Sequence, residues 1–445
     1  MDFDLPSDLV AYLKTLDEFI AAEIVPLQSI DDNDRFFDHR REHSRTDWDN
    51  QGLPRAQWEE LTRLVREKAT AAGHYRLGLP VQFGGKAASN LWMAVIREHL
   101  ATKGLGLHFD GQSETSIVGN EPFVLMFDEF GTEDQKAAFI PDILDGSRQL
   151  AFGFTEPLHG SDATFMETRA CAEMRGGIAG WRIDGEKMWT SLMNTATHCA
   201  LFARTGGHDG DAQGITCFLV PCDTPGVEIE EYLWTFNMPT DHARVRFADV
   251  WVPDSAIFGP LDGGLALAQG FVHENRIRQA ATSLGAAAYC VEESVKYARA
   301  RKPFGRALAE NQAIQWPLVE LATQIEMLRQ LIYKTAWQMD RLPPREIEWQ
   351  LSDKVSMCNY WANRLCCEAA DQAMQIHGGI GYSRHKPFEH IYRHHRRYRV
   401  TEGAEEIQIR KVGAFLLGYA GPRKKELSAI TWADVDYRGD RQSTG

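Results

Sequence analysis

The spacing of apolar positions changes twice along the chain. From 1 to 147 it is helical, with long polar connectors, and Thr132 and Gln135 in TEDQ form a capping box before the amphipathic run AAFIPDILDG. From 148 to 258 short β-rich runs take over: QLAFGF, WRIDGEKMW, HCALFART, ITCFLVPC and RVRFADVWVP, broken by turns such as GGHDGDAQG. Their spacing predicts an antiparallel sandwich or barrel rather than βαβ units. From 259 to 425 the helical period returns. Leu318, Leu321, Ala322, Ile325, Leu328, Ile332, Ala336 and Met339 recur three or four apart and make one broad apolar face. Pro343 and Pro344 interrupt it, and a second long helix is predicted over about 346–377. Helices of that length imply a bundle. The stretch 426–445 is polar and reads as a mobile tail. The predicted fold class is therefore α+β and multi-domain: an N-terminal α-helical domain, a central antiparallel β domain and a C-terminal four-helix bundle.

Composition narrows the function. The chain has 445 residues, 44% apolar and 25% charged, so it can bury a large core and is not broadly disordered. Its net charge of −14 argues against a non-specific grip on nucleic acid or anionic lipid, which needs a basic face. No apolar run approaches the roughly 18 residues of a membrane span. The start MDFDLPSDLVAYLK lacks the basic-then-apolar pattern of a signal peptide. Eight cysteines with no CxxC pair fit a reduced, cytoplasmic protein.

Several motifs are set aside. No Rossmann glycine signature follows a strand, and Gly84-Gly85-Lys86 is not a phosphate loop, because Pro80 and Ala87 stand where Gly and Ser/Thr are needed. His39, Glu42 and His43 in HRREH match the HxxEH zinc-peptidase spacing. Their flanks are charged on all sides, and a solvated polar helix is the simpler reading. The basic run from Arg393 to Arg399 reads, taken alone, as a solvated or interface face.

Four segments carry the chemistry together: FGFTEPLHGSDAT (152–164), DGEKMWTS (184–191), RKPFGRALAENQAI (301–314), and MQIHGGIGYSRHKPFEHIYRHHRRYRV running into TEGAEEIQ (374–408). In order and spacing they resemble the acyl-CoA dehydrogenase family, whose signatures read TEPxxGSD, NGxKxWIT, RxxFGxxLxxxQ, and QxxGGxGY followed by EGTSEIQ. The likeness spans about 90–420, and the helical, β and bundle order is that family's fold. The departures mark a divergent, bacterial-type member.

The resemblance implies FAD as cofactor and an acyl-CoA thioester as substrate. A proton leaves the carbon α to the thioester, and a hydride passes from the β carbon to flavin N5, giving the trans-2-enoyl-CoA. Such a C–H is barely acidic in water. A positioned base, hydrogen bonds to the developing enolate oxygen and a stacked ring lower the barrier. Glu402 matches the family's base, and a carboxylate desolvated by substrate becomes a stronger base. Gly403 beside it allows close backbone approach. The Glu402 N–H and a ribityl hydroxyl would hold the thioester oxygen. Taken alone, Glu402 is also readable as a surface loop acid. Some members carry the base on the helix that begins here at FVHENRIRQ. Asn275 stands at the aligned position, so Glu274, one residue earlier, is the runner-up; it is also readable as a helix-start acid.

The remaining site residues follow by the same likeness. Phe154, Thr155 and Ser161 line the ring or its CoA side. Trp189 shields the ring, or is plain core, while Thr190 and Ser191 follow it; Ser191 replaces the Thr whose hydroxyl approaches N5 and keeps a donor there. Arg301 matches the arginine that reaches the FAD pyrophosphate of a neighbouring subunit, implying a homodimer or homotetramer. Phe304, Gln312, Gln375, Gly378 and Gly379 match further nucleotide contacts. Arg276 lies near the thioester end, or is an ordinary surface arginine. Ala404 and Glu405 stand where the family has Thr and Ser, which removes a hydroxyl and adds a charge at the cofactor's expected position.

The segment 107–120 aligns with the helix closing the acyl pocket and offers His108, Gln112, Ser113, Glu114, Thr115 and Ser116, which favours a polar, short or ring-bearing acyl group. The implied electron acceptor is an electron-transferring flavoprotein. An oxygen-using acyl-CoA oxidase or flavin monooxygenase on the same fold is the alternative. A nucleic-acid-binding flavoprotein would need a basic groove that the −14 balance does not offer.

Overall fold

The computed structural model describes residues 4–110, 116–119, 121–270 and 272–424. The first helical layer starts with α1 (Ser7–Phe19), which passes through a π turn into α2 (Val25–Ser29). Two 3-10 turns follow, then the short pair β1 (Thr46–Asp47) and β2 (Leu53–Pro54). The helices α3 (Ala56–Ala71), α4 (Asn90–Ala101), α5 (Pro122–Phe130) and α6 (Glu133–Asp145) complete it. Leu9, Leu16, Trp58, Leu61 and Ile96 share one buried cluster. The capping box of α6 forms as read: Thr132 Oγ1 accepts from Gln135 N at 3.2 Å, and Gln135 Oε1 accepts from Thr132 N at 3.1 Å.

The central sheet contains β3 (Leu150–Gly153), β4 (Arg169–Arg175), β5 (Ile178–Thr190), β6 (His198–Arg204), β7 (Ile215–Pro221), β8 (Val227–Tyr232), β9 (Ala243–Pro253) and β10 (Ile257–Phe258). Its order is β10-β7-β6-β4-β5-β9-β8, with β3 also paired to β6. The sheet is not purely antiparallel. β3 runs parallel to β6, from Leu150 opposite His198 to Gly153 opposite Leu201, because the β4–β5 hairpin intervenes and returns the chain in the same sense. One apolar cluster joins β3, β6 and β7 to α5 and α6 through Phe127, Ile140, Phe202 and Cys217; a second holds Ile183, Phe218, Val245 and Val250.

After α7 (Gly264–Gly270) come three long helices: α8 (Val272–Ala300), α9 (Gln312–Met339) and α10 (Pro344–His377). The predicted face of α9 is buried at Leu321, Ile325, Leu328, Ile332, Ala336 and Met339. The helix begins before that face, where Asn311 Oδ1 accepts from Ala313 N at 3.0 Å. α8 and α10 lie side by side and point the same way: His273 meets Glu348, Ser283 meets Asn363, and Tyr297 stacks on His377. The short α11 (Gly379–Tyr382) precedes α12 (Phe388–Arg397), whose Phe388 and Ile391 join the core of the three long helices and close a four-helix bundle; α13 (Glu405–Leu416) follows.

Two further expectations change. HRREH forms a 3-10 turn rather than a solvated helix, and His39 stacks on His390 with ring centroids 4.3 Å apart. The basic run does not face solvent throughout. His394 and His395 are buried, and burial lowers His395 to about 3, so both are accommodated as neutral rings.

Candidate active site

Glu402 lies in the turn between α12 and α13, against the first turns of α8. Its φ is +53°, a left-handed conformation that a non-glycine residue keeps only when its surroundings enforce it. Arg276 does so: Nε and Nη2 donate to the Glu402 carbonyl at 3.2 and 2.7 Å. Arg276 is buried, which lowers it from its usual value, and the Glu402 and Glu348 carboxylates oppose that shift. It is therefore not the ordinary surface arginine of the alternative reading. Asn275 Nδ2 donates to Glu402 Oε1 at 3.2 Å.

The next residue is held from the other side. Gly403 has φ +89°, and a Cβ there would lie 2.7 Å from Arg276 Nη2. Gln408 Nε2 donates to the Gly403 carbonyl at 2.9 Å and to Asn359 Oδ1 at 3.0 Å. Asn359 Nδ2 in turn donates to the Arg276 carbonyl at 2.9 Å. The sequence reading missed Asn359 and Gln408. Gln408 was visible in TEGAEEIQ, whereas Asn359 carried no local signal.

Ala404 is the residue before α13. Glu405 is buried in a double clamp: Arg399 Nε and Nη2 both lie at 2.8 Å, and Arg364 Nε and Nη2 at 3.1 and 3.2 Å. The Arg399 bonds lead in lowering its carboxyl to about 2. The charge that Glu405 adds is thus neutralised inside the bundle by two arginines. Glu274 is paired with Arg278 at 3.3 Å, one turn along α8.

A second group of the predicted residues lies on the sheet. Phe154 packs edge-on against Phe202, with centroids 5.0 Å apart, and the Thr155 carbonyl accepts from Met188 N at 2.9 Å. Beneath this loop Lys187 Nζ meets Glu156 Oε1 at 2.8 Å in a fully buried ion pair and donates to the Phe154 carbonyl at 3.2 Å. Burial lowers Lys187 to about 8. The end of β5 slips register against β9 after Lys187, and Trp189 takes φ +62° there. That turns its indole outward, 47% exposed. Thr190 Oγ1 is buried without a hydrogen-bond partner among the described residues. Ser191 Oγ lies 2.9 Å from His242 Nδ1. Ser161 is exposed.

Arg397 is near both groups. Its carbonyl accepts from Val400 and Thr401 at 2.8 and 3.0 Å on the Glu402 side, and its charge contributes to lowering Asp241 on the sheet side.

The other predicted residues lie elsewhere. Arg301 follows the last turn of α8, 25 positions beyond Arg276, or roughly 37 Å along the axis. Arg301, Phe304, Gln312, Gln375, Gly378 and Gly379 are all exposed, and Phe304 completely so. Gly378 has φ +65°, and a Cβ at Gly378 or Gly379 would meet nothing within 4 Å. Glu114, with Gln112, Ser113 and Thr115, lies outside the described residues, as does the predicted tail. His108 and Ser116 are buried; burial lowers His108 to about 4, and Ser116 Oγ accepts from Arg97 at 3.3 Å. A cavity of about 250 Å³ lined by Phe37, Arg40, Tyr289 and Lys386 is a separate feature: Tyr289 lies roughly 21 Å along α8 from Asn275.

Among the described residues, no helix is long and apolar enough to cross a membrane.

Three family models match in succession: the acyl-CoA dehydrogenase N-terminal domain over residues 31–147, the middle domain over 151–250 and the C-terminal domain over 262–417. The chain is 31% identical over 363 residues to a 3-(aryl)acrylate reductase of Clostridium sporogenes, covering 80% of this chain and 91% of that protein. It is 28% identical over 361 residues to the caffeyl-CoA reductase-Etf complex subunit CarC of Acetobacterium woodii, covering 80% and 90%. The solved butyryl-CoA dehydrogenase of Megasphaera elsdenii superposes with a TM-score of 0.74 at 25% identity, covering 94% of this chain and all of that one.

Proposed function

This chain belongs to the acyl-CoA dehydrogenase family of FAD-binding enzymes, and we propose that it oxidises an acyl-CoA thioester between Cα and Cβ, with Glu402 as the base. The observation that carries this reading is the clamp on Glu402, in which buried Arg276 holds the backbone carbonyl and Asn275 Nδ2 donates to the carboxylate at 3.2 Å.

The chain's features fit FAD. Trp189 offers an exposed indole at a bulged strand end, Thr190 carries a buried hydroxyl without a described partner, and Gly378 and Gly379 leave open backbone for a phosphate. When bound, FAD supplies the acceptor for the hydride leaving Cβ. Glu402 takes the Cα proton, Arg276 holds its carbonyl and Gln408 the carbonyl of Gly403 so that the Glu402 N–H can meet the thioester oxygen, and Trp189 keeps water from one side. Glu402 returns the proton in the reverse direction by microscopic reversibility, so the same groups serve a reductase. That reading is favoured by the names of the two relatives given above.

The roughly 37 Å between Arg276 and Arg301 supports a cofactor shared across subunits, with Arg301, Phe304, Gln312, Gln375, Gly378 and Gly379 serving the neighbour's FAD. Buried polar groups at His108 and Ser116 support a polar, short or ring-bearing acyl group, as do relatives named for aryl acrylate and caffeyl-CoA. An electron-transferring flavoprotein is the proposed redox partner; the Etf complex in the name of CarC supports it. The test is anaerobic titration of the holoenzyme with a panel of acyl-CoA and enoyl-CoA thioesters. Bleaching by short, polar or aryl-bearing acyl-CoA supports the reading. Turnover of long straight-chain substrates alone contradicts the proposed acyl class, and no bleaching by any thioester contradicts the reaction.

A further inference from the structure

The segment 37–40, which enters the HRREH turn, and the loop 384–387 between α11 and α12 line one cavity of about 250 Å³. Leu105, after α4, and Tyr289 of α8 complete its walls. Nothing in the reaction at Glu402 uses this place.

Its charges do not cancel. Arg40 is forked onto Asp38, with Nε at 2.7 Å and Nη2 at 2.8 Å, and Arg384 Nη1 donates to Glu42 at 2.7 Å. The other acids nearby are also engaged: Glu389 by Arg393 at 2.6 Å and Glu293 by Lys296 at 3.0 Å. Lys386 is left over. Among the described residues its Nζ has no hydrogen bond and no ion pair. The same excess is felt at His39, another lining residue. Burial leads in lowering that ring to about 4, and the charges of Arg45, Arg393 and Arg384 add to the shift against the opposing charge of Asp38.

Two further donors lack an acceptor. Tyr289 Oη has no hydrogen-bond partner among the described residues. Its ring edge packs on Gly104, where a Cβ would lie 2.7 Å from Cε2, so Gly104 is what admits the ring. Burial raises Tyr289 to about 12, so the O–H is intact at neutral pH and can donate. Arg40 Nη1 lies 3.1 Å from His385 Nδ1, and a guanidinium can only donate. Nδ1 therefore accepts, which leaves the ring's hydrogen on Nε2. The rest of the lining is apolar, with Phe37 and Leu105 beside the Tyr289 ring.

We propose that this cavity is a binding site for a small carboxylate with a ring or short alkyl body, whose oxygens accept from Lys386 and Tyr289 while its body lies against Phe37 and Leu105. A few placed donors on a largely apolar wall suit such a molecule. One unmatched cation balances a carboxylate and leaves a phosphate dianion under-neutralised.

The test is equilibrium dialysis of labelled benzoate against the FAD-loaded holoenzyme, with the flavin absorption band recorded alongside. Benzoate should bind saturably with a Kd below about 10 mM, a modest demand for a ligand of its size. The flavin band should not move. Lys386→Met and Tyr289→Phe should each weaken binding about tenfold or more, the worth of one charged hydrogen bond, with melting temperatures near that of the parent. Benzamide, which keeps the shape without the charge, should compete at least about tenfold more weakly. Inorganic phosphate should not displace benzoate at equal concentration. Absence of saturable binding overturns the proposal. Displacement by phosphate as effective as by unlabelled benzoate also overturns it, since the apolar wall would then contribute nothing. Saturable binding that shifts the flavin band and is indifferent to both variants places benzoate at the reaction site and overturns the proposal as well.

Discussion

The guanidinium of Arg276 donates twice to a single backbone carbonyl, that of Glu402, at 3.2 and 2.7 Å, and so holds the residue in a left-handed turn. Two donors in a rigid fork fix a direction as well as a distance, which one ammonium cannot do. Arg276→Lys should keep the charge and lose the fork. We expect kcat/KM for the best acyl-CoA to fall about ten- to a hundredfold, the worth of one charged hydrogen bond, with FAD content unchanged. Steady-state kinetics on the FAD-loaded variant checks this.

Gly403 should tolerate no side chain. Its φ is +89°, and an added Cβ would meet Arg276 Nη2 at 2.7 Å, so Gly403→Ala strains the turn and pushes the guanidinium off the Glu402 carbonyl. The left-handed turn alone costs about 1–2 kcal/mol for alanine. Activity should fall further than Arg276→Lys lowers it, while denaturant melts show only that modest loss of stability.

Stability should carry an acid signature from Glu405. Arg399 and Arg364 lower its carboxyl from 4.5 to about 2 in the folded chain. A lowered acid binds fewer protons folded than unfolded, so its contribution is present above the unfolded value and lost as pH falls through the folded one. The stability difference between the parent and Glu405→Gln should be full at neutral pH and shrink between about pH 5 and pH 2. Glu348 should titrate in the same window: burial alone would raise it, but bonds from His273 and Lys411 bring it to about 2. Urea melts across that range read the effect.

Arg301 should govern cofactor retention rather than chemistry. It is exposed and lies far along α8 from Glu402. Arg301→Ala should weaken FAD binding about ten- to a hundredfold, the loss of one charge-assisted contact. At saturating FAD kcat should stay near the parent value. Equilibrium dialysis against FAD, followed by assay at saturation, separates the two.

The three blocks and the long helices were legible because apolar period and turn residues are local signals, and the α6 capping box formed from its four-residue pattern. The parallel pairing of β3 with β6 was not legible, since strand direction depends on the route of the chain between them. The inward turn of His394 and His395 also escaped the sequence. A basic run reads as solvated until a partner such as Ser283, 112 residues earlier, is seen to accept it. The motifs did contain the Lys187–Glu156 pair, one member in DGEKMW and the other in TEP, but only the fold shows that they meet. Glu402, Asn275 and Arg276 were named from resemblance, and the fold brings all three together.

The most direct measurement is anaerobic stopped-flow reduction of the Glu402→Gln holoenzyme by the acyl-CoA that bleaches the parent fastest. Glutamine keeps the shape and cannot accept the proton, so the variant should still bind substrate, seen as a shift in the flavin band, while bleaching slows by about 10²–10⁴-fold, the usual worth of a general base. Bleaching at the parent rate would contradict the assignment of Glu402 and move the search for the base to Glu274.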